Sequence, residues 1–267
     1  MKKNIITLAA AVTAAAFFTF AGTEKPAVDF SSTSAGDAEY MTKTVGAWLG
    51  KCGNPDTIAV KELATAAAAR PETALAFSQA LENVLYSSDP LRSEELYARF
   101  LRAMLDTRAY PDSTRLQWLL EVTAKNAQGT RAADFPLEFS DGTSRLLSET
   151  VDKTTLLFFY DPECDHCRDV AAELNGIPEL SACVNEGIVQ VVAVCPDASD
   201  NWREASSWLP AGWQCATDNG AIDEEELYVF DSYPIVYLLD ENACVICKNA
   251  EAKEIVEQMR CLKYVYK

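Results

Sequence analysis

Thr154-Thr155-Leu156-Leu157-Phe158-Phe159-Tyr160-Asp161-Pro162-Glu163-Cys164-Asp165-His166-Cys167 is the stretch on which the reading of this chain turns. Its first half, Thr154 to Tyr160, is a continuous apolar run of strand length, the pattern of a strand buried on both faces of a sheet. Cys164-Asp165-His166-Cys167 then opens a segment with Val170 and Leu174 on one face, stopped by Asn175-Gly176. A C-x-x-C at such a junction sits on a helix N-terminus. Unpaired N–H groups and the positive end of the helix dipole stabilise a thiolate there, and the thiolate is the species that attacks disulfides. Cys164 is expected to be the exposed nucleophile and Cys167, one turn deeper, the resolving thiol. Asp165 and His166 are expected to tune the thiolate: Asp161, Glu163 and Asp165 disfavour it, while the helix end and any charge on His166 favour it.

Working outward, the residues after Asn126-Ala127-Gln128-Gly129-Thr130 predict an α/β order with a mixed sheet. Phe135 to Phe139 alternates, Asp141-Gly142 marks a hairpin turn, and Ile188 to Cys195 is a second buried strand ended by Pro196-Asp197. A helix is predicted over Trp202 to Trp208, strands over Ile235 to Leu239 and Val245 to Lys248, and a last helix over Ala252 to Leu262. Ahead of Thr130, from about Asp37 to Lys125, the pattern is of helices separated by Pro, Gly and Asp. Phe77, Leu81, Val84 and Leu85 form one stripe behind Pro71; Leu96, Phe100, Leu101, Met104 and Leu105 a second; Leu116, Leu119, Leu120 and Thr123 a third. These stripes speak of packing and carry no chemistry. The domain boundary is placed near Thr130, with an all-α region over 23–130 and an α/β domain over 131–267.

Three separated places then resemble the thioredoxin superfamily, and more closely its TlpA/ResA-type exported members. Phe158 to Cys167 looks like the family's first strand and active-site loop; Cys195-Pro196-Asp197 with Trp202-Arg203 looks like the end of its next strand and the following helix. Tyr233-Pro234-Ile235-Val236-Tyr237-Leu238-Leu239-Asp240 looks like the loop and strand that carry the family's cis-proline. The resemblance covers about residues 131–267. The helical region is similar to a domain that precedes such modules in some exported proteins of Gram-negative bacteria. What the resemblance implies is thiol-disulfide exchange with protein substrates through Cys164 and Cys167 and without a bound cofactor, with Pro234 cis beside Cys164 and the Tyr233 backbone open to a substrate peptide. The chain departs from the family at Glu163, where an aromatic or small residue is usual, and at Phe158, where thioredoxin has a buried Asp that accepts a proton.

The N-terminus bears on where this chemistry takes place. Met1-Lys2-Lys3, an apolar run from Ile5 to Phe20 and the small residues Ala21 and Gly22 read as a secretory signal peptide over 1–22. The run is short for a membrane anchor, and no cysteine follows it for acylation, so a soluble periplasmic or otherwise exported protein is expected. The formal charge of −17 repels a phosphate backbone and argues against nucleic acid as a partner. Protein thiols or disulfides are the expected partners, and the helical region is expected to serve as a docking or dimerisation surface.

Nine cysteines suit an oxidising compartment, and an odd number leaves at least one outside intramolecular pairs. Cys244-Val245-Ile246-Cys247 is a second C-x-x-C, but it is predicted at a turn and in a strand, where residues three apart face opposite sides, which argues against a zinc site. Cys195 is predicted to end one strand and Cys215 to start another, so a disulfide between them is an open pairing. Two other functions stand beside disulfide exchange. One is a thioredoxin-like binding module whose cysteines are structural; the other is a peroxide-reducing enzyme, which the single histidine and the lack of a Thr/Ser-x-x-Cys element disfavour.

Overall fold

The computed structural model describes residues 28–86, 90–196, 202–230 and 232–265. The expected signal segment lies outside them, as do Asp89 and Asp197. No helix of the described residues is long and apolar enough to cross a membrane. The chain forms two compact units that divide between Glu121 and Val122.

The first unit is helical: α1 (Ala38–Cys52), α2 (Thr57–Ala67), α3 (Pro71–Leu85), α4 (Glu94–Thr107) and the first part of α5 (Ser113–Ala124). Local chemistry starts each helix. The Asp37 carboxylate accepts the Tyr40 N–H at 2.7 Å, Asp56 that of Ala59 at 2.8 Å and Ser93 that of Leu96 at 3.3 Å, each satisfying an orphan donor of a first turn. Pro71 occupies the first turn of α3, where its missing N–H costs nothing. The expected stripes meet in one core, where Phe77, Leu81, Val84, Phe100, Leu101 and Met104 are buried with Met41, Val45 and Trp48 of α1.

The second unit contains β1 (Pro136–Phe139), β2 (Ser144–Leu146), α6 (Leu147–Thr150), β3 (Thr154–Phe159), α7 (Asp165–Gly176), α8 (Pro178–Asn185) and β4 (Val189–Cys195). It continues through α9 (Trp202–Ala205), β5 (Gln214–Thr217), α10 (Ala221–Glu224), β6 (Ile235–Leu239), β7 (Val245–Lys248) and α11 (Ala252–Val265). The strands form one mixed sheet in the order β2-β1-β5-β4-β3-β6-β7, with β5, β4 and β3 parallel and the rest antiparallel to their neighbours. All six residues of β3 are buried. Alternation sends Leu156, Phe158 and Tyr160 to one layer with α7, α8 and α11, and Leu157 and Phe159 to the other.

The division inside α5 lies ahead of the composition change at Thr130, because residues 122–130 are stitched to the sheet. Lys248 Nζ donates to the carbonyls of Val122 at 3.2 Å and Lys125 at 3.0 Å, and Gly129 N–H donates to the Val245 carbonyl at 2.8 Å. The helix predicted over Trp202 to Trp208 ends at Ala205. One element appears that periodicity did not announce, α8 directly behind Ile177, while the strand expected to start at Cys215 is present as β5, beginning one residue earlier.

Candidate redox site at the end of the central strand

The parallel strands β3, β4 and β5 end on one side of the sheet, and β6 begins there, since Phe159 pairs with Ile235. The chain leaves β3 through Tyr160 and turns over Asp161-Pro162-Glu163. Asp161 shapes this turn twice: its carbonyl accepts the Cys164 N–H at 3.2 Å and its Oδ1 accepts the Glu163 N–H at 2.8 Å.

Cys164 is the N-cap residue of α7, with φ −82° and ψ 111°, and its Sγ accepts the Cys167 N–H at 3.2 Å. A thiol thus takes the place that Ser or Asp usually fills at a helix start, facing the positive end of the dipole. Both residues are thiols, Cys164 half-buried and Cys167 fully buried against Ala171 and Leu174. Burial pushes the Cys167 thiol up to about 12, with the contact to Cys164 adding to the rise and a backbone N–H of Asp161 opposing it. The geometry therefore joins an accessible sulfur at a helix N-terminus to a protonated one directly beneath it.

The other expected residues fall around this pair. Asp165 and His166 lie on the exposed side of the first turn of α7. The Asp165 carboxylate, 92 % exposed, is 3.0 Å from Arg168 Nη1, so its charge is partly answered locally. The Tyr233–Pro234 peptide is cis, immediately ahead of β6 and so at the same end of the sheet as the exit of β3. Tyr233 is half-buried, its ring 5.4 Å from that of Phe230, and burial followed by the charge of Asp223 pushes its phenol above the ordinary tyrosine range.

Sequence reasoning did not find the residues that hold the turn. The Pro162 carbonyl accepts hydrogen bonds from Trp208 Nε1 and from Arg168 Nη2, each at 3.1 Å. Trp208 stands edge-on to Tyr160, with centroids 5.4 Å apart and planes at 86°, and the Tyr160 hydroxyl lies 2.6 Å from Ser206 Oγ and 3.3 Å from Cys215 Sγ. The strand register sets Cys215 beside Ala193 and Cys195 beside Thr217, so the two cysteines are offset by two residues and their thiols are not opposed. In the second C-x-x-C, Cys244 closes the turn before β7, its N–H bound to Asp240 Oδ1 at 2.7 Å, while Cys247 lies within β7 opposite Leu238.

No protein-family model matches this sequence, and no curated protein matches it. Among solved structures, the chain is similar to a thioredoxin-like protein from Bacteroides caccae, with 24 % identity and a TM-score of 0.79 over 88 % of both chains. That coverage takes in helices of the first unit as well as the sheet. The C-terminal domain of an uncharacterized protein from Bacteroides fragilis aligns at 27 % identity and a TM-score of 0.49, over 51 % of this chain and 99 % of that one. The thioredoxin domain of a thiol-disulfide oxidoreductase from Bacteroides vulgatus aligns at 19 % identity and a TM-score of 0.43, over 52 % of this chain and 98 % of that one. The chain has a thioredoxin-like fold preceded by a helical region.

Proposed function

We propose that the protein is an exported thiol-disulfide oxidoreductase that exchanges disulfides with protein substrates through Cys164 and Cys167. The observation that carries the reading is the Cys164 sulfur at the N-cap of α7, accepting the Cys167 N–H at 3.2 Å above a buried second thiol. Cys164, as thiolate, attacks one sulfur of a substrate disulfide; the substrate S–S bond breaks, a mixed disulfide forms and the first substrate thiolate leaves. That thiolate takes the proton of Cys167. The Cys167 sulfur then attacks Cys164 Sγ and releases the second substrate thiolate. Two electrons have passed to the substrate, and the protein holds a Cys164–Cys167 disulfide. Run in reverse, the same steps oxidise a substrate dithiol. The Tyr233 backbone beside Pro234 is the edge on which a substrate peptide would lie.

The test is turbidimetric insulin reduction with dithiothreitol by the full-length mature protein and by Cys164→Ser. Acceleration by the wild type that the variant loses supports the reading. No acceleration by the wild type, with Cys164 and Cys167 locked as a disulfide in glutathione buffers, transfers the fold to a binding role. Export rests on Met1 to Gly22, and the mass of the mature chain recovered from cells tests it.

A further inference from the structure

Between Tyr160 and the nucleophile stand Asp161, Pro162 and Glu163, and the carbonyl of the middle one is held from two separate elements. The Pro162 carbonyl takes one N–H from Arg168, in the first turn of α7, and one from Trp208, beyond α9 and 46 positions along the chain. Both donors are themselves anchored. The indole sits against Tyr160, whose hydroxyl is tied to Ser206; the guanidinium reaches Asp165 at 3.0 Å and lies 5.8 Å from the centre of the indole ring. Both lone pairs of one oxygen, two residues ahead of Cys164, are thus occupied by donors that are not free to wander.

We infer that Trp208 and Arg168 are positioning residues, a clamp on the Pro162 carbonyl that holds Cys164 at the N-cap and thereby sets the redox equilibrium of the Cys164–Cys167 pair. This rests on the disulfide-exchange reading above. The clamp bears unequally on the two redox states. A thiol or thiolate sulfur at the N-cap accepts the Cys167 N–H and faces the helix dipole, whereas a disulfide sulfur is uncharged and a poorer acceptor. Holding Cys164 in that place therefore stabilises the dithiol more than the disulfide. Loosening the turn shifts the balance the other way.

The experiment equilibrates the full-length mature protein with glutathione buffers, in which dithiol plus oxidised glutathione gives protein disulfide plus two reduced glutathiones. Trp208→Phe keeps an aromatic ring at the position and removes the N–H with the pyrrole half of the indole. The equilibrium constant for forming the Cys164–Cys167 disulfide is expected to rise, by up to about fivefold, since the whole of one net hydrogen bond is the ceiling for a contact that both redox states make. A merely structural role would lower the unfolding midpoint and leave this constant where it was. An unchanged constant in a folded Trp208→Phe protein overturns the inference. Should that variant fail to fold, Arg168→Lys carries the test: it keeps the charge at an exposed position and loses the second guanidinium nitrogen. A rise in its constant supports the clamp, and no rise overturns it. A wild-type pair that never equilibrates with glutathione overturns the disulfide-exchange reading and the clamp with it, a result distinct from an unchanged variant.

Discussion

Alkylation of the reduced protein should leave Cys167 slower than an ordinary exposed thiol by orders of magnitude, and the size of the delay follows from burial. A thiol at the ordinary value of 9.0 is ionised to about one part in ten at pH 8; one pushed up to about 12 is ionised to about one part in 10⁴. Because only the thiolate reacts at a useful rate, ionisation alone slows Cys167 about 10³-fold, before its complete burial is counted. The assay is a timed iodoacetamide pulse on the dithiol protein near pH 8, quenched by acid and read by tandem mass spectrometry on the tryptic segment 154–168. Single modification at Cys164 is the expected product, with Cys167 labelled only after urea is added. Equal labelling of both cysteines in the folded protein would refute the assignment of nucleophile and buried partner. The same shift has a signed consequence for stability. The folded state holds the Cys167 proton more tightly than the unfolded chain does, so this contribution is whole below about pH 9 and is lost as pH rises from there to about 12.

Two further outcomes test the frame on which the site stands. Phe158→Ala removes a fully buried ring 5.9 Å from Tyr160 and 5.5 Å from Trp213, and should cost about 3–5 kcal/mol in urea unfolding; a loss under about 1 kcal/mol would contradict the packing of the central strand. In the helical unit, Asp56→Ala deletes the cap on the Ala59 N–H and should cost about 1 kcal/mol, seen as roughly fivefold faster hydrogen exchange in the first turns of α2 if they open locally; unchanged protection there would count against the cap.

The parts of the molecule that could be read in advance are those whose signal is local. A run of six buried residues from Thr154 to Phe159 has no helical face to offer, and Cys164 follows it closely enough that the start of α7 could be placed. The bounds of β6 and β7 were equally plain, because aliphatic and aromatic residues stand between clear turns. Elsewhere the local signal was weak or misleading. Asn175-Gly176 ends α7 as its residues predict, but α8, which Pro178 starts two residues later, went unread because only Leu180 and Cys183 of it are fully buried. The strand expected to start at Cys215 begins one residue earlier, at Gln214, and its four-residue extent is set by the parallel edge that β4 offers. The helix expected to reach Trp208 stops at Ala205, and Ser206 turns in to meet the Tyr160 hydroxyl.

Composition, period and motif by themselves thus determined the α/β class of the second unit, the helical character of the first and the cysteine pair at a helix start. Each depends on residues close in the chain, whose side chains repeat at 2 or 3.6 positions. Only the tertiary structure decided what surrounds the pair: that Cys167 is sealed from water, that Pro234 lies at the end of the sheet where β3 releases the chain, and that Trp208 reaches the carbonyl of Pro162. Such contacts join residues far apart in sequence, and they exist because the order of strands in the sheet brings the ends of β3 and β4 and the start of β6 to one edge. No spacing in the chain encodes that order, which is settled by which buried faces fill the two layers on either side of β3.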